Sequence, residues 1–213
     1  MPDSSKKTYV VEHLDDELGP WSELEYTAIA RETARAGGSF VLSSVPATLV
    51  TRLAGTKLAS EPAFRAETRG VEELYSAPEQ RGRVCLLDPR AEKDISPEDR
   101  GVFDVFLFGG ILGDDPPRDR TSELRVKGYE GRRLGPVQMT TDTAVRVTRM
   151  VVEEQFTLET VPYIDHPDLK INEHESTEMP FRYVKGDNGE PVMPEGMIDL
   201  IKKDADKSID DLI

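Results

Sequence analysis

The stretch Val102-Phe103-Asp104-Val105-Phe106-Leu107-Phe108-Gly109-Gly110-Ile111-Leu112-Gly113-Asp114 decides the architecture. From Val102 to Phe108 it is almost continuously apolar, the pattern of a strand covered on both faces in an α/β sheet. The three glycines that follow permit a tight turn and close approach of a ligand to backbone N–H and C=O groups. Ligands of α/β sheets bind beyond the carboxyl ends of the strands, although an ordinary strand-to-helix turn also explains the glycines. The spacing is not that of a dinucleotide fingerprint. Asp114-Asp115-Pro116-Pro117, where a helix would open, repels a pyrophosphate. A ligand without phosphates fits better.

Outward from this strand the pattern is one of alternating strands and helices. Tyr9-Val10-Val11 is β-prone and ends at Glu12-His13. Ser22-Glu23-Leu24-Glu25 reads as a capping box, with Trp21 and Tyr26 placed for a hydrophobic staple and Gly37-Gly38 closing the helix. Phe40-Val41-Leu42 is the next strand, so the strand-helix-strand order predicts parallel pairing. Residues 46–80 are harder to read: Leu49, Val50 and Leu53 suggest a helix, and Gly55, Pro62, Gly70 and Pro78 interrupt the region. Val84 to Leu87 is a strand ending at Asp88-Pro89-Arg90, and Ser96-Pro97-Glu98-Asp99 is a short helix start with Pro at its first position. Asp119 to Lys127 predicts a short helix and Arg132-Arg133-Leu134 a short strand. Thr140 to Gln155 predicts a longer helix with Ala144, Val147 and Val151 on one face.

Charge divides the chain. Of 213 residues, 41 are acidic and 27 basic, a formal charge of -14. Such a surface repels phosphate backbones and attracts basic partners. Residues 158–213 hold 14 acidic and 6 basic residues with five prolines, which predicts a small acidic domain after a main domain at 1–157. Its last helix is expected over Gly196 to Lys203. Cys85 alone excludes an intrachain disulfide and a multi-thiolate metal site, and its place in Val84-Cys85-Leu86-Leu87 reads as a buried small hydrophobe. His13, His166 and His174 show no metal-ligand spacing. The apolar runs are far shorter than a membrane span, and Met1 to Lys7 lacks a signal-peptide core, so a cytoplasmic protein is expected.

Two further loops have the character of a site. One is Leu86-Leu87-Asp88-Pro89-Arg90, at a strand end. The other is Arg132-Arg133-Leu134-Gly135-Pro136-Val137-Gln138-Met139-Thr140-Thr141-Asp142-Thr143-Ala144, a Gly-Pro loop that opens a hydroxyl-rich helix N-terminus. Taken in order, Arg83 to Arg90, Phe108 to Asp114, Arg133-Leu134-Gly135 and Gln138 to Ala144 resemble the SPOUT methyltransferase superfamily. Within it, the chain is similar to the fungal SPOUT enzymes that methylate an arginine of a small-subunit ribosomal protein. Thr177-Glu178-Met179-Pro180-Phe181-Arg182-Tyr183 and Pro194-Glu195-Gly196-Met197 extend the likeness into the tail. It runs from about residue 8 to the C-terminus and is weakest at 46–80.

The resemblance implies an α/β fold with a C-terminal trefoil knot, which pattern alone never suggests because unknotted chains are the rule. It implies S-adenosylmethionine, and no metal, held by three loops. Their residues here are Leu86, Leu87, Asp88 and Pro89; then Phe108, Gly109, Gly110, Ile111, Leu112 and Gly113; then Leu134, Gly135, Gln138, Met139, Thr140 and Thr143. An arginine acceptor is cationic at any cellular pH and needs carboxylates to orient it. Glu12, Asp114 and Glu178 are the candidates, against the ordinary alternative of solvated surface acids. The acidic tail is then a docking surface for a basic ribosomal protein. The resemblance favours a monomer. An RNA methyltransferase is the alternative, and it needs a basic surface around the pocket; Arg118, Arg120, Arg132 and Arg133 are the local cluster, offset by Asp114, Asp115 and Asp119. A non-catalytic binding protein is the third reading.

Overall fold

The computed structural model describes residues 6–13, 15–109, 121–170 and 176–210, with side chains described as far as Asp204. The first strand, β1 (Thr8–Glu12), leads through α1 (Pro20–Arg35) to β2 (Ser39–Ser43), and β1 and β2 pair in parallel as expected. The 46–80 region supplies α2 (Ala47–Leu53), β3 (Phe64–Ala66), α3 (Val71–Leu74) and α4 (Pro78–Arg81). After it come β4 (Val84–Leu87), α5 (Asp99–Val102), β5 (Val105–Gly109), α6 (Thr121–Arg125), β6 (Glu130–Arg132) and α7 (Thr141–Val152). All six strands form one parallel sheet in the order β3-β2-β1-β5-β4-β6.

Strand alternation sorts the core into two layers. Val10, Val41, Leu86 and Leu107 project to one face, where Val71 of α3, Leu124 of α6 and Tyr129 cover them. Tyr9, Val11, Phe40, Leu42, Cys85 and Phe106 project to the other, against Tyr26 and Ile29 of α1 and Val147 and Val151 of α7. The apolar runs read from the sequence are therefore strands buried on both sides, although the run from Val102 to Phe108 becomes strand only at Val105, with Val102 exposed at the end of α5. Cys85 is fully buried, and desolvation pushes its thiol up, away from the thiolate form that reacts.

The described tail residues form two antiparallel ribbons and a helix. In one ribbon β7 (Tyr163–Asp165) pairs with β10 (Arg182–Val184); in the other β8 (Asp168–Lys170) pairs with β9 (Ser176–Glu178). Helix α8 (Met197–Asp210) runs beyond the predicted Lys203. Leu169, Met179 and Tyr183 enclose a small core completed by Trp21 of α1 and Ile201 of α8. No helix among the described residues is long and apolar enough to cross a membrane.

Three local expectations are corrected. The first helix starts at Pro20 with Gly19 as its N-cap, not at Ser22. Proline at the first helical position is already set at the helical φ and has no N–H to satisfy, so the helix opens three residues early. Ser22 and Glu25 are consequently buried inside it, and Trp21 serves the tail core instead of a staple. The helix near Ser96 begins at Asp99, whose carboxylate accepts the Ser96 N–H at 2.9 Å. The strand expected at 132–134 is β6 at Glu130–Arg132, because pairing with β4 ends at Leu87 opposite Arg132.

Phe106 lies at the centre of this arrangement, fully buried, 5.8 Å from the Tyr9 ring and 6.3 Å from that of Phe103. Phe106→Ala is expected to lower unfolding free energy in urea by about 3–5 kcal/mol, the usual cost of a core aromatic.

Candidate functional site

At the carboxyl ends of β4, β5 and β6 lies a cavity of about 400 Å³, in the range of ~300–1,000 Å³ typical of small-molecule sites. Two turns and the end of β5 wall it. Leu87, Asp88, Pro89 and Arg90 follow β4; Phe108 and Gly109 end β5; and Leu134, Gly135, Pro136, Val137, Gln138 and Met139 lead into α7, which adds Thr141 and Ala144. The loops after β4 and β6 singled out in the sequence therefore meet at one place, beside the end of β5. Thr121 and Arg125 of α6 close a further side. Nothing in the sequence marks those two, because their contribution depends on where α6 packs over the sheet.

Each loop is fixed by main-chain bonds. After β4, the Asp88 N–H donates to the Arg132 carbonyl at 2.9 Å. Residues 93–95 run alongside Arg133, whose N–H donates to the Lys93 carbonyl at 2.8 Å. Beyond it the chain turns at Gly135, φ +85°, a left-handed position that glycine adopts without strain. The tail holds the far end of this third loop: the Arg182 N–H donates to the Gln138 carbonyl at 2.8 Å, and Met139 bridges Arg182.

Other expected site residues lie behind the wall. Leu86 points to the opposite face of the sheet, into the Val10–Leu107 layer. Thr140 and Thr143 are buried beneath α7, where the Thr140 hydroxyl donates to Asp142 Oδ1 at 2.7 Å and lies 2.8 Å from that of Thr143. Gly110, Ile111, Leu112, Gly113 and Asp114 lie outside the described residues, as do Arg118 and Arg120.

The carboxylates differ in kind. Asp88 reaches the cavity, but Arg125 binds its Oδ1 at 2.7 Å and also engages Oδ2, while the Arg90 N–H donates to Oδ1 at 2.9 Å. Burial alone would raise its pKa; the guanidinium and the amide outweigh burial and hold it below the ordinary carboxylate value. Glu12 is 2 % exposed at the end of β1, in register with Gly109. Ser43 and Ser44 donate their hydroxyls to it and Val71 its N–H at 3.2 Å. Ser44 adopts φ +56° to do so. Glu12 thus ties β1 and β2 to α3 beside the cavity rather than lining it. Glu178 is exposed on β9, opposite Asp168, and does not line it either.

The described cations of the expected basic cluster are neutralised. Arg132 is buried against Asp99, at 2.9 Å and 3.1 Å, and Arg133 pairs with Asp94 at 2.7 Å. Among the described residues, no group of three or more His, Cys, Asp or Glu side chains is placed to hold a metal ion.

Asp88→Asn is expected to cost about 1.5–3 kcal/mol at neutral pH, the worth of hydrogen bonds to a charged group. A carboxyl held low in the native state stabilises it above the unfolded pKa of ~3.9 and loses that contribution as pH falls through the native value. The gap between variant and wild type should therefore close in acid, which urea unfolding across the acid range will read.

The comparisons agree with this geometry. A family model described as protein arginine N-methyltransferase SFM1-like matches residues 8–208. The protein arginine N-methyltransferase SFM1 of Saccharomyces cerevisiae is 45 % identical over 214 residues, covering 96 % of this chain and 99 % of its own. The crystal structure of the yeast arginine methyltransferase SFM1 complexed with S-adenosylmethionine superposes with a TM-score of 0.83 at 44 % identity, covering 93 % of this chain and 91 % of that one. A complex of full-length spTrm10 with S-adenosylhomocysteine, at 12 % identity and a TM-score of 0.50, covers 75 % of this chain and 96 % of its own and shares the fold alone. A match from β1 into α8 that spans the whole cavity leaves one conclusion: the chain belongs to the SFM1-like family of protein arginine N-methyltransferases.

Proposed function

We propose that this chain transfers a methyl group from S-adenosylmethionine to an arginine side chain of a basic ribosomal protein, in the cavity at the ends of β4, β5 and β6. The convergence of the turns after β4 and β6 with the end of β5 on that one cavity carries the proposal. The class of reaction follows from the family, and the wall chemistry fits the cofactor. Leu87, Phe108, Leu134, Val137 and Met139 supply apolar surface for an adenine and a thioether chain. Gly109 and Gly135 leave main-chain groups open at the positions where side chains would cover them. Of the described cations at the cavity, Arg90 and Arg125, the second is paired with Asp88, in keeping with a ligand that has no phosphates.

When bound, the cofactor supplies an electrophilic methyl on a sulfonium. The protein's part is to hold a guanidinium nitrogen in line with it, at roughly 3 Å, and to keep water out. Asp114, directly after the glycine turn, is the carboxylate we assign to orienting the acceptor. Glu12 supports the same end of the sheet from beside Gly109 and retains lone pairs for a cation. Glu178 belongs with the acidic docking surface of residues 158–213, whose net charge of -8 steers a basic polypeptide toward the site. That surface acts as a small appended domain on a monomeric, cytoplasmic enzyme. The path from β6 through the Gly135 turn to α7 is the part of the chain that we assign to a trefoil knot.

The alternative, methylation of RNA, needs free cations at the rim, and the pairing of Arg132 and Arg133 with acids works against it. Incubation with methyl-labelled donor, small-subunit ribosomal proteins and ribosomal or transfer RNA separates the readings. Label on a protein arginine is the expected result; label in RNA, or in neither, would overturn the proposal. Ala144→Phe, which fills the cavity from α7, is expected to abolish calorimetric binding of S-adenosylhomocysteine with little change in melting temperature.

A further inference from the structure

Behind the cavity, where α1, α7 and β10 meet, two acids are buried together. Glu25 of α1 is 1 % exposed and Asp142 of α7 is 2 % exposed, and their carboxyls are hydrogen-bonding neighbours. Ionised carboxylates only accept, so such a contact requires a proton between them. Glu25 Oε2 is buried and has no hydrogen-bond partner among the described residues, a place that penalises an ionised carboxylate far more than a neutral carboxyl.

The surroundings decide which acid holds it. Asp142 accepts the Thr140 hydroxyl and stands in the first turn of α7, where the helix dipole favours an anion. It also faces Arg146, 3.4 Å away, whose guanidinium bridges to Glu32 of α1. Glu25 is met by the Trp21 indole and the Thr141 main chain, neither of them a cation, and the Tyr183 hydroxyl of β10 lies within reach of its charge. Burial, followed by the charge of Asp142, raises the Glu25 pKa well above the ordinary value. Burial also raises that of Asp142, against the opposing pull of Arg146. The proton therefore resides on Glu25.

We propose that Glu25 is a positioning residue for the methyl-donor site: its neutral carboxyl, bonded to ionised Asp142, clamps the first turn of α7 against α1 and β10. That turn carries Thr141 and Ala144, which form the cavity wall. The consequence for ligand binding rests on the assignment of the cavity to S-adenosylmethionine, whereas the shared proton does not.

Two measurements test this. A native state that keeps a proton on Glu25 is stabilised fully below the unfolded pKa of ~4.3 and progressively less as pH rises toward the native value. Glu25→Gln keeps the shape and a donor and does not titrate. Its melting temperature should match that of the wild type in mild acid and exceed it increasingly as pH is raised. Calorimetry should show wild-type affinity for S-adenosylhomocysteine falling by roughly tenfold as the clamp ionises, one pKa unit of coupling, with Glu25→Gln pH-independent and Glu25→Ala weak throughout. Destabilisation of Glu25→Gln by the same amount at every pH would show that Glu25 is an ionised structural acceptor and overturn the proposal. So would wild-type affinity that does not change with pH. Failure of the wild type to bind S-adenosylhomocysteine at any pH would instead overturn the cofactor assignment, and the melting comparison would still decide the fate of the proton pair.

Discussion

Because six strands run parallel, every turn that leaves a strand in the forward direction leaves it at the same edge of the sheet. The order β5-β4-β6 then places the end of β5 beside the turns that leave β4 and β6, and the cavity is what lies between them. A parallel sheet also has to be covered on both faces. Helices α1 and α7 cover one layer and α3 and α6 the other. The cover has consequences at the cavity: α7 and α6, recruited to hide apolar surface, also supply its side walls through Thr141, Ala144, Thr121 and Arg125.

The acidic balance of the chain takes two forms. Most acids are at the surface, where their summed potential acts on a partner at a distance. A few are inside. Glu12 is satisfied by neutral donors and Asp88 and Asp99 by guanidinium groups, while Glu25 and Asp142 form the pair to which we assign a shared proton. These are the main ways in which a carboxyl can leave water without prohibitive cost. Glu12, Asp88 and Asp99 lie close to the strand ends, and Asp142, with Glu25 beside it, lies on the helix that walls the cavity.

Much of this was legible in the residues. The apolar runs at Val84–Leu87 and Val102–Phe108 announced buried parallel strands, although the second strand begins only at Val105. The sequence could not reveal the direction in which neighbouring residues point once register is set. Leu86 and Leu87 read alike, yet one enters the far layer and the other the cavity. Glu12 reads as an exposed strand-end acid and is instead enclosed by Ser43, Ser44 and Val71, partners up to 59 positions away. The capping box at Ser22 was locally plausible and lost to Pro20, whose fixed φ began the helix first. Edge strand β3 was missed because three residues give no period to read.

The hydrogen bond from Arg182 to Gln138 makes one strand of the acidic tail part of the scaffold of the third turn. The two halves of the chain are therefore not interchangeable modules. Anyone wishing to redirect this enzyme by grafting another recognition tail must reproduce the main-chain ladder at 182–184 as well as the desired surface charges, or the graft will arrive with its own cofactor pocket undone.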